Sequence, residues 1–292
     1  MIITVASGKG GTGKTMVATN LALSIEGAQY IDCDVEEPNG NLFLHAEIET
    51  RREAGIPMPV IDEERCTLCG DCAEACEFNA LAVSKERVLL FSDLCHGCGV
   101  CSYVCPESGV ITERLRRLGE IEMGRVQRTK GGTNGRANGS EIAYTGAHLD
   151  VGALLVTPLI KEVKRTADPE RTVILDAPPG TSCPVVETLR GSDYCLLVTE
   201  PTPFGLNDLQ LAVAVVRELG IRFGVILNQS DSGDEQVSAY CRQEGIPVLL
   251  EIPFSRDLAV AYSKGVAIAA QDASYRERFQ RLFQAMQAEA GR

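Results

Sequence analysis

Short apolar runs recur along the second half of the chain, and helix-like stretches separate them. The runs lie at 172–176, 195–199, 224–228 and 248–252. Apolar residues without alternation are typical of parallel strands that are covered on both faces. The intervening segments 206–219 and 236–244 have the composition and length of helices. This alternation predicts an open, doubly wound, mostly parallel α/β sheet.

The first 60 residues follow the same rhythm, and the segment after them interrupts it. A first apolar strand leads through a glycine-rich turn into a helical stretch at 16–25, and a second short strand follows. Residues 61–112 are instead rich in cysteine and acidic, with nine Asp or Glu against three Lys or Arg. We therefore predict one α/β domain formed by residues 1–60 and 113–292, with a second domain, 61–112, inserted into it. The glycine-rich stretch 130–140 is predicted to be a surface loop without chemistry.

Charge and composition narrow the classes of function. The 292 residues carry a formal net charge of −12, which disfavours nonspecific binding to nucleic acid because such binding needs cations that displace phosphate counterions. No apolar run approaches the ~20 residues that cross a bilayer, and no basic segment precedes the first strand, so we predict a cytoplasmic protein. The last helix carries an apolar stripe that is predicted to face the core rather than a membrane. The stripe consists of Phe279, Leu282, Phe283 and Met286.

An eight-residue segment directly after the first strand has the G-x-x-x-x-G-K-T pattern. It consists of Gly8, Lys9, Gly10, Gly11, Thr12, Gly13, Lys14 and Thr15. Its glycines allow backbone N–H groups to converge on phosphate oxygens, and the N-terminus of the following helix favours negative charge. We expect Lys14 to reach the β- and γ-phosphates of ATP and Thr15 to bind Mg²⁺. The alternative is a glycine-rich turn that binds no ligand.

The lysine after the first glycine of this loop, Lys9, is its distinguishing feature. With it the loop resembles the deviant Walker A motif of the MinD/ParA/Mrp ATPase family, and the resemblance covers essentially the whole chain outside the insert. It implies an ATP-hydrolysing homodimer in which this lysine reaches the nucleotide of the other subunit. Such a lysine would stabilise charge that develops during phosphoryl transfer. The alternative is a lysine that contacts only the phosphates of its own chain.

Three carboxylates match the same family. Asp32 and Asp34, where the second strand ends, resemble switch I, which implies that Asp32 lies near Mg²⁺ and that Asp34 orients the attacking water. Asp176 ends an apolar strand, as in a Walker B motif, and the resemblance implies that it holds a Mg²⁺-bound water. The carboxyl ends of parallel strands are where an open α/β sheet places its site.

Three further positions complete the resemblance. Asp176 is followed by Ala-Pro-Pro-Gly-Thr, and the Pro-Pro-Gly-Thr part is similar to switch II of the Mrp-like branch. In that loop Gly180 would contact the γ-phosphate through its backbone. Asn228 and Pro253 match the residues that recognise adenine in the family.

Eight of the twelve cysteines form two groups within the predicted insert. The groups are Cys66, Cys69, Cys72 and Cys76, and then Cys95, Cys98, Cys101 and Cys105. Adding 29 to each position of the first group gives the second, so the segment is an internal duplication. In such a run three closely spaced cysteines bind one cluster and the fourth binds the other. We therefore expect one [4Fe–4S] cluster on Cys66, Cys69, Cys72 and Cys105 and another on Cys95, Cys98, Cys101 and Cys76.

The insert looks like a bacterial two-cluster ferredoxin with one departure. Pro106 follows the last cysteine as expected, whereas Glu77 stands where the first group usually has proline. The alternative ligand is zinc, which usually takes two C-x-x-C pairs separated by a longer loop. The remaining cysteines are predicted to be packing residues at 33, 195 and 241 and a buried thiol near the dimer interface at 183.

These features together predict ATP-gated electron transfer by a homodimer, through two [4Fe–4S] clusters, to a redox partner protein. Two alternatives remain open at this point. The first is a factor that assembles or delivers iron–sulfur clusters with ATP. The second is a nucleotide-switched regulatory dimer of the MinD/ParA type whose clusters sense redox state.

Overall fold

The computed structural model describes residues 1–126 and 141–290, so the predicted loop at 130–140 lies outside the described residues. The strands are β1 (Ile2–Ala6), β2 (Gln29–Asp32), β3 (Glu47–Ile61), β4 (Leu81–Val83), β5 (Val88–Leu90), β6 (Ile111–Val126), β7 (Ile142–Leu149), β8 (Val173–Asp176), β9 (Tyr194–Thr199), β10 (Phe223–Asn228) and β11 (Val248–Ile252). The helices are α1 (Lys14–Ser24), α2 (Asn41–Leu44), α3 (Asp71–Glu74), α4 (Val100–Val104), α5 (Val156–Lys164), α6 (Cys183–Leu189), α7 (Pro203–Glu218), α8 (Gln236–Gln243), α9 (Arg256–Ser263) and α10 (Ala273–Ala290).

Within the described residues, nine strands form one sheet in the order β11-β10-β9-β1-β8-β2-β7-β6-β3. From β11 to β7 every neighbouring pair is parallel. The predicted mostly parallel α/β fold is confirmed. The register sets Asp176 opposite both Val5 and Asp32, which brings the ends of β1, β2 and β8 together.

Side chains from the two faces of the sheet enter two separate apolar cores. In β9, Leu196 and Val198 contribute to one core, and Cys195 and Leu197 contribute to the other. This alternation follows from the two-residue period of a strand, and it explains why the run is apolar throughout. Helix α1 packs in the first core and is buried along its whole length.

Strands β3 and β6 differ most from the sequence prediction. Both are long, 15 and 16 residues, and much of their length is exposed and charged. The sequence pattern did not predict them because charged residues interrupt their apolar positions, and some of these charges form cross-strand ion pairs. Arg51 bonds to Glu122 at 2.7 Å, and Arg125 pairs with Glu49 at 3.2 Å.

The chain divides into two compact units, and the division falls within β3, β6, β7 and α5. Unit 1 comprises the described residues within Met1–Arg52, Ile121–His148 and Ile160–Arg292. Unit 2 comprises Glu53–Glu120 and Leu149–Leu159, and therefore contains the whole of the predicted insert 61–112 together with flanking residues. Unit 2 has small apolar cores of its own, one around Leu118 and the other around Val110.

The last helix buries its apolar stripe. Phe279, Leu282 and Met286 are almost fully buried in the core that contains α1, and Phe283 packs beside them. The predicted inward orientation of the stripe is confirmed. No helix in the described parts of the chain combines the length and the apolar character needed to traverse a bilayer.

We predict that Leu21→Ala lowers the free energy of unfolding by about 2–5 kcal/mol, because it removes a fully buried side chain from the core around α1. The matched control is Leu211→Ala on α7, where the side chain is 54% exposed and the expected change is within about 0.5 kcal/mol. Urea unfolding followed by circular dichroism compares the two variants. Equal losses would contradict the assignment of α1 to the core.

Candidate functional site

The phosphate loop of unit 1 joins the end of β1 to the start of α1, as predicted. Gly13 directly precedes α1 and has φ 90°, a left-handed conformation that favours glycine. A Cβ at Gly13 would lie 2.5 Å from Asn228 Nδ2, and a Cβ at Gly8 would lie 2.3 Å from the carbonyl oxygen of Asp208. Gly13 therefore requires glycine for its conformation, and Gly8 requires it for space.

The loop contains a buried hydroxyl that lacks a partner. Among the described residues, Thr12 Oγ1 is the buried side-chain polar atom without a hydrogen bond. Leaving such a group unpaired costs about 1–3 kcal/mol, so it indicates a place where a bound group completes the hydrogen bonding. The main-chain oxygen of Thr12 accepts a bond from Asn228 Nδ2 at 2.9 Å. The orphaned hydroxyl fits a loop that binds phosphate.

A buried carboxylate lies next to the loop lysine. Lys14 Nζ donates to Asp176 Oδ1 at 2.8 Å, and the hydroxyl of Tyr30 donates to Asp176 Oδ2 at 2.8 Å. Burial by itself lowers the pKa of Lys14, but Asp176, followed by Asp32 and Asp34, more than offsets this, so the pKa is raised. The lysine is thus held cationic where phosphates are expected.

The two switch I candidates lie where β2 ends. Asp32 Oδ2 accepts from the backbone N–H of Gly40 at 2.9 Å, and Asp32 Oδ1 accepts from that of Asp34 at 3.1 Å. Burial and, after it, the charge of Asp176 raise the pKa of Asp32 to about 8. Burial also raises the pKa of Asp34 to about 6. Clustered oxygens of this kind suit a hard divalent cation such as Mg²⁺, whose charge would favour the ionised forms.

Two further predicted site residues are Lys9, which belongs to the phosphate loop, and Gly180, which lies beside it. Lys9 Nζ lies 3.7 Å from Glu200 Oε2 of its own chain, and its side chain is 33% exposed. The backbone N–H of Gly180 donates to the carbonyl oxygen of Ser7 at 3.0 Å. In the single chain Lys9 is therefore paired with the carboxylate of Glu200.

A cavity of about 550 Å³ adjoins the loop and contains both predicted adenine-binding residues, Asn228 and Pro253. Phe254 and Tyr262 also line it, and each keeps part of its ring exposed. The Tyr262 ring stacks on Phe43 with centroids 4.6 Å apart. A partly aromatic cavity with two amide side chains, Asn228 and Gln229, is suited to a planar base.

Sequence reasoning missed several residues of this site. Tyr30 had a signal, because residues two apart on a strand point to the same face and Asp32 lies two positions later. Phe254 is the neighbour of Pro253 and had no separate signal. Glu200 directly follows β9 and Tyr262 lies in α9. Only the fold brings these residues to the loop, and their local sequence carries no signal.

The eight clustered cysteines line two cavities in unit 2. The first cysteine cavity is lined by Cys66, Cys69, Cys72 and Cys105. The second cysteine cavity is lined by Cys76, Cys95, Cys98 and Cys101. Each cavity thus takes three thiols from one sequence group and the fourth from the other.

The backbone repeats with the sequence. Gly70 and Gly99, 29 residues apart, both have positive φ (97° and 75°) and directly precede α3 and α4. Leu68 and Gly97, again 29 apart, also have positive φ. Positive φ is uncommon for leucine, so the fold holds this position against its local preference.

The thiols within each quartet lie close enough to interact. Burial, followed by the neighbouring thiols, raises the pKa of Cys72 and of Cys101, while backbone N–H groups oppose these shifts. All twelve cysteines of the chain are free. In the described part of the chain no three His, Cys, Asp or Glu side chains are grouped so as to hold a metal ion.

The other four cysteines fall into two classes. Cys33, Cys195 and Cys241 are fully buried, which confirms their packing role. Cys183, predicted to be a buried thiol near a dimer interface, is exposed in the single chain because the buried side of α6 carries Val185 and Leu189 instead.

The sequence model of the CobQ/CobB/MinD/ParA nucleotide-binding domain matches residues 3–268. The chain belongs to this family. MJ0579, an uncharacterized protein of Methanocaldococcus jannaschii, is 29% identical over 271 residues, which cover 91% of this chain and 90% of that protein. The matched residues include the phosphate loop, the three carboxylates and the residues that line the adjoining cavity.

Two other comparisons describe the fold and a local match. The septum site-determining protein MinD from Pyrococcus horikoshii OT3, complexed with Mg-ADP, has a TM-score of 0.57 at 17% identity, covering 99% of this chain and 97% of that one. At this identity the likeness shows the fold alone. Indolepyruvate oxidoreductase subunit IorA of Archaeoglobus fulgidus is 37% identical over 60 residues, which are 20% of this chain and 10% of that protein.

We predict that Asp32→Asn makes stability without nucleotide and Mg²⁺ less dependent on pH. The pKa of Asp32 is raised from 3.8 to about 8 in the folded state. Its contribution to stability is complete below pH 4 and is lost as the pH rises through 8. The reason is that the folded state keeps a proton that the unfolded chain has released. The wild-type free energy of unfolding should therefore fall more steeply, by up to about 1.4 kcal/mol per pH unit, than that of the variant.

Urea unfolding at several values between about pH 5 and pH 8 measures these slopes. The exposed Asp257 provides the control, and Asp257→Asn should keep the wild-type slope. A slope of Asp32→Asn equal to that of the wild type would contradict the raised pKa.

Proposed function

We propose that the chain binds and hydrolyses ATP and that its nucleotide state controls electron transfer through two [4Fe–4S] clusters. The observation that carries the proposal is the lining of the two cysteine cavities. Each contains four thiols, with one thiol exchanged between the sequence groups, as a two-cluster site requires. A phosphate loop with adjacent carboxylates lies in the other unit of the same chain.

The nucleotide half of the proposal assigns a role to each group at the loop. Lys14 would leave Asp176 to bind the β- and γ-phosphates, while Thr15 and Asp32 would hold Mg²⁺. Asp176 would accept a hydrogen bond from a water bound to that ion. Asn228 and Pro253 hold the base in the adjoining cavity.

Hydrolysis would depend on Asp34, Gly180 and Lys9. Asp34 orients the water that attacks the γ-phosphorus, the bond to the β-γ bridging oxygen breaks, and ADP and phosphate leave. The backbone N–H of Gly180 stabilises the γ-phosphate. Lys9 exchanges Glu200 for the nucleotide of a second subunit, so the active form is a homodimer in which each subunit completes the other's site.

The iron–sulfur half assigns each quartet to one cluster. The cysteines of the first cavity, Cys66, Cys69, Cys72 and Cys105, would hold one cluster, and Cys76, Cys95, Cys98 and Cys101 of the second would hold the other. A lone ion needs ligands that converge on one point, whereas a four-iron cluster offers a separate iron to each thiolate. The spread of each quartet around a cavity therefore suits a cluster better than zinc. When bound, such clusters supply one-electron transfer, here to a redox partner protein.

The chain path supports coupling between the two halves. Asp32 is bonded to the N–H of Gly40, α2 begins at the next residue, and β3 follows from Glu47 into unit 2. Switch I is thus joined to the segment with the cysteines through α2 and β3 of the same chain. The local match to an oxidoreductase subunit agrees with a redox function.

We predict that serine variants of Cys66 and Cys105 lose the same EPR signal, and that those of Cys95 and Cys76 lose the other. The reason is the exchange of the fourth thiol between groups. Anaerobically reconstituted wild-type protein should contain about eight iron atoms per chain, and each variant should lose iron. Cys183→Ser, outside both quartets, is the control and should retain both signals. Grouping of the variants by sequence group instead would contradict the exchange.

We also predict that the midpoint potential of at least one cluster shifts by about 60 mV or more between the nucleotide-free, ADP and ATP-analogue states. This shift corresponds to a tenfold change in a one-electron equilibrium, the least that would gate transfer usefully. An anaerobic EPR-monitored redox titration measures it. The control is Lys14→Gln, which keeps a hydrogen-bond donor near Asp176 but removes the phosphate-binding charge, and which should show no shift.

Equal potentials in all three states would reject the coupling. ATP-driven release of iron to an acceptor would then favour cluster delivery. ATP-dependent dimerisation that changes with the oxidation state of the clusters would favour a redox-sensing switch.

A further inference from the structure

Tyr30 is a polar side chain in the middle of the parallel sheet. It lies in β2, is fully buried, and stacks on Tyr144 with ring centroids 6.1 Å apart and planes inclined by 9°. Strands covered on both faces are normally apolar, and a buried hydroxyl must find a hydrogen-bond partner. Here the partner is the carboxylate of Asp176, at 2.8 Å.

The hydroxyl of Tyr30 lies between the Walker B and switch I candidates. A Cβ at Gly40 would be 2.1 Å from this hydroxyl oxygen, so the backbone after switch I passes directly over it. The N–H of Gly40 also donates to Asp32. Burial and the charge of Asp176 raise the pKa of Tyr30 well above its ordinary value, so its hydroxyl remains a donor at neutral pH.

The two oxygens of Asp176 have different partners. Oδ1 accepts from Lys14, and Oδ2 accepts from Tyr30. When Lys14 turns to the phosphates, Oδ1 loses its donor and becomes available to a water on Mg²⁺. The bond from Tyr30 to Oδ2 is then the one that keeps the carboxylate plane in place.

We infer that Tyr30 is a positioning residue for the ATPase reaction: its hydroxyl holds the Asp176 carboxylate so that Oδ1 faces the Mg²⁺ site after Lys14 has left. The inference rests on the proposed nucleotide site. It goes beyond that site because the proposed roles use Asp176 without explaining what orients it.

The test compares Tyr30→Phe with Tyr144→Phe. Both changes remove one hydroxyl from one ring of the same stacked pair, but in the first the hydroxyl bonds to Asp176 and in the second it does not. Phenylalanine keeps the ring, so folding is expected to survive. Urea unfolding checks this for both variants.

The readouts are ATP hydrolysis as a function of Mg²⁺ concentration and binding of a fluorescent ATP analogue with Mg²⁺ or with EDTA. Hydrogen bonds to charged groups contribute enough that Tyr30→Phe should raise the Mg²⁺ concentration for half-maximal activity by about tenfold or more. Its binding of the analogue in EDTA should match that of the wild type. Tyr144→Phe should resemble the wild type in both assays.

A folded Tyr30→Phe variant with the Mg²⁺ dependence of the wild type would overturn the inference while leaving the proposed function intact. An equal loss of analogue binding with and without Mg²⁺ would also overturn it, since that result indicates a general structural role. If the wild type neither binds the analogue nor hydrolyses ATP at any Mg²⁺ concentration, the proposed function fails and the inference fails with it.

Discussion

The structure of the nucleotide site depends on one buried carboxylate. Asp176 is fully buried at the end of β8, where a charge without partners would be strongly destabilising. Lys14 and Tyr30 satisfy its two oxygens from α1 and β2. The carboxylate therefore ties three neighbouring elements together, and each of the three comes from a different part of the chain.

The same pairing makes the site ready for a ligand. A buried ion pair contributes little net stability because both charges lose their hydration, so exchange of one partner for another of the same sign is not prohibitive. If Lys14 binds phosphates instead, the negative charge of Asp176 needs another positive partner, and a hydrated Mg²⁺ would provide one. Asp32, with its raised pKa, completes the arrangement, because a cation would stabilise the charge that burial disfavours.

Unit 2 is built on a different principle. Its helices α3 and α4 have only four and five residues, its two-stranded sheet β4-β5 has three residues a strand, and its apolar cores are small. Several of the cysteines belong to these cores, among them Cys72 and Cys95. So small a core supplies limited stability, and clusters that cross-link the two sequence groups would stabilise the unit as well as carry electrons.

The sequence by itself determined the local features of this protein. Glycines at fixed spacing after an apolar strand predict the phosphate loop, since the chemistry needs that order of residues, and the 29-residue repeat identifies the two cysteine groups as a duplication. The tertiary structure alone decided which distant residues meet. It brought Lys9 to Glu200 and stacked Tyr262 on Phe43. It also formed the long charged strands β3 and β6, whose sequences lack the apolar pattern of a strand. Such contacts depend on the packing of elements far apart in the chain, and no local preference encodes that packing.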